Sequence, residues 1–347
     1  MNITTVGLDL AKSVFQVHGV DERGKVVLRK QLRRREVLSF FANLPPCLIG
    51  MEACGGAHFW AQRLGEYGHT VKLMAPQFVR PYVKTNKTDA QDAEAICEAV
   101  TRPTMRFVPI KTPEQQAILA LHRARQGFVK ARTAQANQLR SLLAEFGLVL
   151  PQGIQRLRQQ VPAVLEELET KVPELARQLF VTLFAHLKDL DRQIVELEQQ
   201  IKRWHRLCPQ SRKLEAIPGI GPLTASALIA SIGDAKAFTH GRQLAAWLGL
   251  VPRQSSSGGK PRLLGISKRG NTYLRTLLIH GARAVLRQAL LRNAPTNRWL
   301  LQVRARRNTN VAIVALANKN ARIVWALLAH ERDYEAARAP AFASASG

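Results

Sequence analysis

The first ~110 residues alternate short apolar runs with turn-forming residues, a pattern typical of β-strands. Apolar, β-branched runs at 3–10, 14–20 and 25–30 are joined by links too short to hold a helix. The link Asp-Glu-Arg-Gly at 21–24 is a good hairpin turn. Three successive strands with tight connections predict an antiparallel meander.

The second half of this region predicts alternating strands and helices. The run at 47–51 fits a buried strand, 57–67 a helix and 71–74 another strand. Thr88 is a helix N-cap candidate before an Ala-rich segment. This order matches the ribonuclease-H-like arrangement. The alternative is a parallel doubly wound sheet, which needs helices between the first strands, where there is no room.

Residues 113–205 predict almost continuous helix, with Pro151 and Gly153 marking a break. An apolar stripe repeats in steps of four and three, which indicates a left-handed coiled coil. Its members are Leu183, Leu187, Leu190, Ile194, Leu197, Ile201 and Trp204. The stripe's partner is either the helix at 117–146, folded back as a hairpin, or another subunit. An ordinary amphipathic helix within one domain is the remaining interpretation.

Charge changes the expectation for the remaining chain. The 51 Lys and Arg residues exceed the 25 Asp and Glu residues, which gives a net charge of +26. The segment 235–330 contains no Asp or Glu at all, so its cations have no partners within the segment. Such an excess predicts a polyanionic partner. Nucleic acid is the leading class, and an anionic membrane surface is second.

Composition also excludes several protein classes. At 46% hydrophobic and 22% charged residues, the chain is neither disordered nor fibrous. Its four cysteines form no CxxC pair, so neither a zinc site nor a disulfide framework is expected. The apolar run at 311–328 is interrupted by polar residues, and the N-terminus lacks a signal-peptide pattern. We therefore expect a soluble, cytoplasmic protein that does not span a membrane.

The fold class that follows is α/β plus α, in four segments. Residues 1–112 are a ribonuclease-H-like catalytic domain and 113–205 a helical, coiled-coil region. Residues 206–335 are a basic, mostly helical domain, and 336–347 a small-residue tail that we expect to be disordered.

Four carboxylates in the first domain are candidates for metal binding. Asp9 lies among apolar residues of the first strand, and Glu52 directly follows the strand at 47–51. Asp89 and Asp92 share one face of the predicted helix, where they repel each other unless a cation lies between them. Together the four can hold a pair of Mg²⁺ or Mn²⁺ ions for phosphoryl transfer. The alternative is that Asp89 and Asp92 only stabilise the N-terminus of the helix, where negative charge is favourable, and bind no metal.

The segment 214–234 has a helix–hairpin–helix pattern. Gly219 and Gly221 permit a tight turn whose outward N–H groups can hold a phosphate without reading sequence. A plain turn between helices is the alternative.

The segment 249–271 combines serines, glycines and cations. Three serines precede Gly258, and five basic residues surround them. These are Arg253, Lys260, Arg262, Lys268 and Arg269. One interpretation is a flexible loop that binds phosphate. The other makes one serine a nucleophile, activated by a metal ion because the segment contains no His base.

In this order and spacing, the motifs resemble the DEDD-type transposases of insertion sequences, which are related to the pilin-gene inverting recombinase. The motifs are GLDLAK, MEACGG, KTDAQDA, IPGIGP and SSSGGKPRLLGISKRGN. The resemblance covers roughly residues 3–330. The first domain is also similar to Holliday-junction resolvases, although this chain is much longer.

The resemblance implies a DNA recombinase with the tetrad Asp9, Glu52, Asp89 and Asp92. It implies that Ser257 is the nucleophile and forms a phosphoserine link with DNA, with Ser256 as an alternative. It further implies a structured non-coding bridge RNA that pairs with donor and target DNA. Assembly as a dimer or tetramer, with tetrad and serine from different subunits, is also implied.

Two rival functions fit part of the pattern. A junction nuclease that uses water needs the carboxylates but no serine. A non-enzymatic binding protein needs only the basic helices and the helix–hairpin–helix turn.

Overall fold

The computed structural model describes residues 2–84, 88–292 and 298–335. The chain divides into two compact units, Met1–Gln116 and Ala117–Gly347. The tail predicted at 336–347 lies outside the described residues.

The first unit is built on a six-stranded mixed sheet in the order β3-β2-β1-β4-β5-β6. Its strands are β1 (Thr5–Leu10), β2 (Val14–Val20), β3 (Val26–Arg33), β4 (Leu48–Glu52), β5 (Thr70–Met74) and β6 (Phe107–Val108). Strands β1 to β3 pair antiparallel, whereas β4 lies parallel to both β1 and β5. The predicted meander is therefore confirmed, together with the mixed α/β class.

Four helices accompany this sheet. They are α1 (Val37–Ala42), α2 (Ala57–Gly65), α3 (Pro76–Val79) and α4 (Asp89–Val100). The sequence predicted α2 and α4, but α1 and the short edge strand β6 were not foreseen.

Two strand glycines let α4 lie directly on the sheet. A Cβ atom on Gly7 would stand 2.1 Å from the carbonyl oxygen of Ala93, and one on Gly50 would stand 2.8 Å from Cβ of Val100. No side chain fits in either gap. This close approach fixes where the first turn of α4 meets the edge of the sheet.

The second unit is almost wholly helical. Its helices are α5 (Pro113–Ala144, which begins in the first unit), α6 (Ile154–Lys171), α7 (Glu174–Leu207), α8 (Pro209–Glu215), α9 (Pro222–Ile232), α10 (Gly241–Trp247), α11 (Thr272–Arg292), α12 (Arg298–Arg306) and α13 (Thr309–Ala329). The sequence predicted the break before α6, but it missed the second break, at Pro173.

Helices α5 and α7 pair antiparallel within the chain. Arg125 Nε donates to Glu198 at 2.8 Å, and Arg132 Nη1 donates to Asp191 at 3.2 Å, so the residue numbers on α7 fall as those on α5 rise. The apolar stripe on α7 is mostly buried in this arrangement, with Leu187 at 3% exposure. Helix α5 of the same chain therefore contacts α7, and α6 shares the apolar cluster around Leu187. The coiled coil itself stays a prediction.

Helices α8 to α13 surround the largest apolar core of the chain. Helix α13 is the one described helix that is long and apolar enough to cross a membrane, with a mean hydropathy of 1.4. Ala317, Ala321 and Val324 on it are completely buried in the protein. We interpret α13 as a core helix, since one such helix is weak evidence for a membrane span.

Between α10 and α11 the chain forms an antiparallel pair of strands, β7 (Pro252–Gln254) and β8 (Leu263–Ile266). This serine hairpin, residues 252–266, is exposed along nearly its whole length. One of the two interpretations of the sequence was a flexible loop, and the structure shows a two-stranded hairpin at this place.

Candidate active site and nucleic-acid-binding surface

Asp9 and Glu52 stand side by side on neighbouring parallel strands. The register pairs Leu8 with Met51, so the next positions along both strands are Asp9 and Glu52. Such neighbours lie about 4.8 Å apart in the direction of the hydrogen bonds, and equal positions face the same side of the sheet. That side is the one covered by α4, since Gly7 also faces it.

Helix α4 brings its first turn to the same edge. Cys97 Sγ contacts the carbonyl oxygen of Thr5 at 3.8 Å, and Ala93 lies over Gly7, so α4 runs opposite to β1. The two residues from Gly7 to Asp9 span about 6.6 Å, or about four residues of helix. Counting back from Ala93, this places Asp89 level with Asp9.

The start of α4 is fixed by its cap. The side chain of Thr88 accepts a hydrogen bond from the backbone N–H of Gln91 at 3.4 Å, as the sequence predicted. Asp89 and Asp92 therefore fall in the first turn, where the helix dipole favours negative charge.

The pKa of the Cys54 thiol, on an exposed residue that follows β4, responds to the negative charge at this edge. Burial of part of the group raises its pKa most, and the charges of Glu52 and Asp9 raise it further. Both carboxylates are therefore within electrostatic reach of the same sulfur atom.

The donor set at the edge consists of carboxylate oxygens, which suit Mg²⁺ or Mn²⁺ and not zinc. Within the described part of the chain, no group of three or more His, Cys, Asp or Glu side chains is placed to hold a metal ion. The strand register and the first turn of α4 bring the predicted carboxylates to one edge of the sheet, but as placed they do not form a metal-binding group. The donor chemistry fits a hard divalent cation.

Ser257 occupies the tip of the serine hairpin. Gly258 and Gly259 have φ angles of +54° and +74°, and the Lys260 N–H donates to the Ser257 carbonyl at 3.1 Å. Two positive φ angles define a type I′ turn, the tightest hairpin connection, and explain the glycine pair. The turn leaves Ser257 exposed at its first position.

The neighbouring serine is differently placed. Gln254 Nε2 donates a hydrogen bond of 2.8 Å to the hydroxyl of Ser256. For Ser257, the described residues include no such side-chain partner. This difference favours Ser257 over Ser256 as the hydroxyl available to a substrate.

The base of the hairpin is clamped by Arg275 of α11. Its guanidinium donates to the carbonyls of Leu248 at 3.1 Å and Arg269 at 3.2 Å, on either side of the hairpin. Arg275 is only 7% exposed. The sequence treated all cations of segment 235–330 as available to a polyanion, which is wrong for Arg275 because its guanidinium is used internally. Its spacing to Leu278 and Ala282 on the apolar stripe of α11 was the available signal.

The cations on and beside the hairpin form an exposed positive surface. Its predicted members are Arg253, Lys260, Arg262, Lys268 and Arg269. In the described part of the chain, none of these five forms an ion pair with a carboxylate. These five cations thus keep their charge available for phosphate groups.

The predicted helix–hairpin–helix turn has a packing role. Gly219 has a φ of +88°, and a Cβ on it would stand 2.8 Å from the carbonyl oxygen of Gly281 on α11. Asn320 Nδ2 donates to the Pro218 carbonyl at 2.9 Å, which ties the turn to α13. Gly221 is exposed. Phosphate binding by this turn stays a prediction.

Comparison with known proteins assigns the chain to a family. Residues 6–147 match the IS110-type DEDD model described as transposase, and residues 211–295 match the model of the transposase IS116/IS110/IS902 family. A probable family 20 transposase of Pseudomonas aeruginosa is 55% identical over 96% of this chain and 99% of its own length. The chain is a transposase of the IS110/IS116 family.

Other relatives agree over nearly the full length. The transposase for insertion sequence element IS1111A of Coxiella burnetii is 44% identical over 96% of this chain and 92% of its own length. The transposase for insertion sequence element IS1328 of Yersinia enterocolitica is 43% identical over 93% of this chain and 96% of its own length. The protein is therefore an insertion-sequence transposase, an enzyme that cleaves and joins DNA. Its DEDD domain belongs to a type that typically uses a divalent metal.

Proposed function

We propose that this transposase cleaves and rejoins DNA through Ser257, which forms a transient phosphoserine link. The observation that carries the proposal is the type I′ turn that presents Ser257 on an exposed hairpin among cations without carboxylate partners. A serine hydroxyl needs such access because it must reach a phosphorus atom of a bulky duplex.

We further propose that the first unit is a ribonuclease-H-like catalytic domain. The strand order 3-2-1-4-5, with an antiparallel meander followed by parallel strands, supports this assignment. Asp9, Glu52, Asp89 and Asp92 would hold Mg²⁺ or Mn²⁺. When bound, such a cation stabilises an alkoxide and the charge that builds on a reacting phosphate.

The reaction conserves bonds and needs no energy source. A bond forms between Ser257 Oγ and phosphorus as the bond to the 3′-oxygen of the preceding nucleotide breaks. The hydroxyl proton of the serine passes to that oxygen, which leaves as a free 3′-hydroxyl. Attack by the 3′-hydroxyl of another strand on the phosphoserine then restores the serine and joins the DNA. Arg253 and Arg262 balance charge on the phosphate.

A trapping experiment tests the nucleophile. Cleavage of DNA in divalent metal, followed by denaturation and mass spectrometry, should give a peptide containing phosphorylated Ser257. Ser257→Ala should abolish nicking, whereas Ser255→Ala on the same hairpin should retain it. A free 5′-phosphate without a protein adduct, and nicking by the Ser257→Ala variant, would instead establish the junction nuclease that uses water.

The non-enzymatic alternative is wrong, since the chain is a transposase. The four carboxylates have their own test. Asp9→Asn, or removal of divalent metal, should abolish cleavage while DNA binding persists. Cleavage that continues after both changes would show that these carboxylates do not act through a metal ion.

We also propose that a structured bridge RNA guides a dimer or tetramer of this transposase to donor and target DNA in the nucleoid. The net charge of +26 supports binding of a second polyanion besides DNA. RNA that co-purifies with the protein should be sequenced and compared with the flanks of the insertion sequence. Loops complementary to both the element ends and the insertion site are the expected result, and the absence of bound RNA would count against guidance.

A further inference from the structure

A cavity of about 390 Å³ lies between α10 and α13, and residues of the serine hairpin do not line it in the described part of the chain. Helix α10 contributes Arg242 at its start, and α13 contributes Lys319, Arg322 and Trp325. The volume is in the range of ligand sites, which hold about 300–1,000 Å³. No motif in the sequence pointed to this place.

The charge that lines the cavity has one sign. Its lining includes Arg242, Lys319 and Arg322, and none of the lining residues in the described part of the chain is acidic. Lys319 Nζ lies 4.7 Å from the centroid of the Trp299 ring, and burial lowers the pKa of its ammonium group. A partly desolvated cation in this position is stabilised by an anionic group entering the cavity.

An apolar wall completes most of the lining. Ile323, Trp325 and Ala326 supply it from a single turn of α13, and His240 and Gly241 line the cavity at the start of α10. The indole N–H of Trp325 donates to the Phe238 carbonyl at 2.9 Å, which fixes the orientation of its ring. The cavity thus combines an apolar, aromatic wall with cations, as sites for single nucleotides do.

We propose that this cavity binds one unstacked nucleotide, with its base against Trp325 and Ala326 and its phosphate against Arg242 and Lys319. The inference rests on the proposed function only in that this transposase handles nucleic acid, and it does not involve Ser257. An exposed strand of DNA and a loop of RNA present the same chemistry, and the test separates these two sources.

The test uses the full-length protein and a short single-stranded oligonucleotide, in DNA and RNA forms that carry a photoreactive halogenated pyrimidine. After irradiation, the cross-linked peptide should contain Trp325. Ala326→Phe fills the cavity without changing charge and should lower single-strand affinity about ten-fold. Ala305→Phe, at an exposed position of α12, is the matched control and should bind as the unchanged protein does.

A second pair of variants tests the phosphate. Arg242→Gln should weaken single-strand binding several-fold more than Arg283→Gln, which removes an equal charge from an exposed position of α11. An effect confined to DNA, or confined to RNA, identifies the source of the nucleotide. Equal losses on single strands and duplex, or cross-links only outside α13, overturn the proposal. Failure of the serine proposal shows separately, as a missing phosphoserine adduct.

Discussion

Gly219 and Gly281 bring the turn between α8 and α9 into backbone contact with α11. A Cβ on Gly281 would stand 1.8 Å from the carbonyl oxygen of Gly219, a distance that no packing adjustment of side chains relieves. At the scale of single residues, the packing of the second unit depends on glycine at these two positions.

Gly281→Ala should therefore destabilise the protein, by about 1–3 kcal/mol, because two backbone segments must separate. Urea unfolding followed by circular dichroism measures the loss. Gly127→Ala is the matched control, since nothing lies within 4 Å of its added Cβ on α5, and it should stabilise the helix by about 0.5–1 kcal/mol. Equal stability of the two variants would contradict this account.

His122 is a second residue whose role is set by its surroundings. Its Nδ1 lies 2.9 Å from the Tyr273 hydroxyl, and its Nε2 lies 3.0 Å from the hydroxyl of Ser226. Ser226 itself donates to the Pro222 carbonyl at 2.7 Å. The imidazole therefore joins α5, α9 and α11 while it is neutral.

This cluster makes stability depend on pH. Burial is the main cause that lowers the pKa of His122 to about 4 from 6.5, and the charge of Arg125 lowers it further. Between these values the unfolded chain binds a proton that the folded chain does not, so stability falls as pH falls from about 6.5 to 4. At pH 5 the loss should be about 2 kcal/mol.

Urea unfolding at pH 7 and pH 5 checks this expectation. In His122→Gln the difference between the two pH values should shrink by about that amount. His280→Gln, at an exposed position of α11, should leave the difference as it is. If both variants respond alike, His122 is not the group that titrates.

At the scale of a structural element, the serine hairpin is held mainly by contacts at its base. Its two strands are short and exposed, so packing contributes little to holding them. Gly249 and Gly270 take φ angles of +72° and +80° at its base, where a Cβ would collide with backbone atoms. Arg275 bridges the two chain segments at this base. The hairpin is thus held at its base. We expect the position of Ser257 at its tip to depend on the hydrogen bonds of Arg275.

Arg275→Lys should loosen the hairpin, because lysine is shorter and lacks the second guanidinium nitrogen, which donates to the Thr272 hydroxyl at 3.1 Å and orients the group between the two carbonyls. Limited trypsin digestion should then cut faster after Arg253 and Arg262. Arg283→Lys, an exposed position on the same helix, should digest like the unchanged protein. Unchanged cutting at the hairpin in Arg275→Lys would show that the clamp does not hold it.

At the scale of the whole molecule, positive charge dominates binding. The net charge is +26, and segment 235–330 contains no Asp or Glu to neutralise its cations from within. The cations of the second unit therefore keep a strong field toward polyanions. Binding to DNA of any sequence should release counterions and weaken steeply as salt rises.

Salt titration by fluorescence anisotropy tests this, with duplex DNA of unrelated sequence. If about six to ten phosphates are contacted, affinity should fall about 10³- to 10⁵-fold between 50 and 200 mM salt. Arg262→Gln should reduce the logarithmic slope by about one, whereas Ser255→Ala should not change it. A slope near zero would mean that the exposed cations do not contact phosphate.

Much of the first unit could be predicted because its signals are local. Strand alternation, the hairpin turn at 21–24 and the Thr88 cap each depend on residues close together in sequence. Asp9 and Glu52 were singled out because a carboxylate in or after an apolar strand is unusual. That these two share a register follows only from the pairing of β1 with β4.

The sequence by itself determined the mixed sheet, the helical remainder, the positive charge and the residues of the candidate site. Only the tertiary structure decided that α5 pairs antiparallel with α7, that Arg275 is buried and that Gly219 packs on Gly281. Periodicity and charge depend on residues that are close together in the sequence, so they can be recognised before the tertiary structure is known. Which distant segment fills a gap or accepts a hydrogen bond depends on packing that no local pattern records.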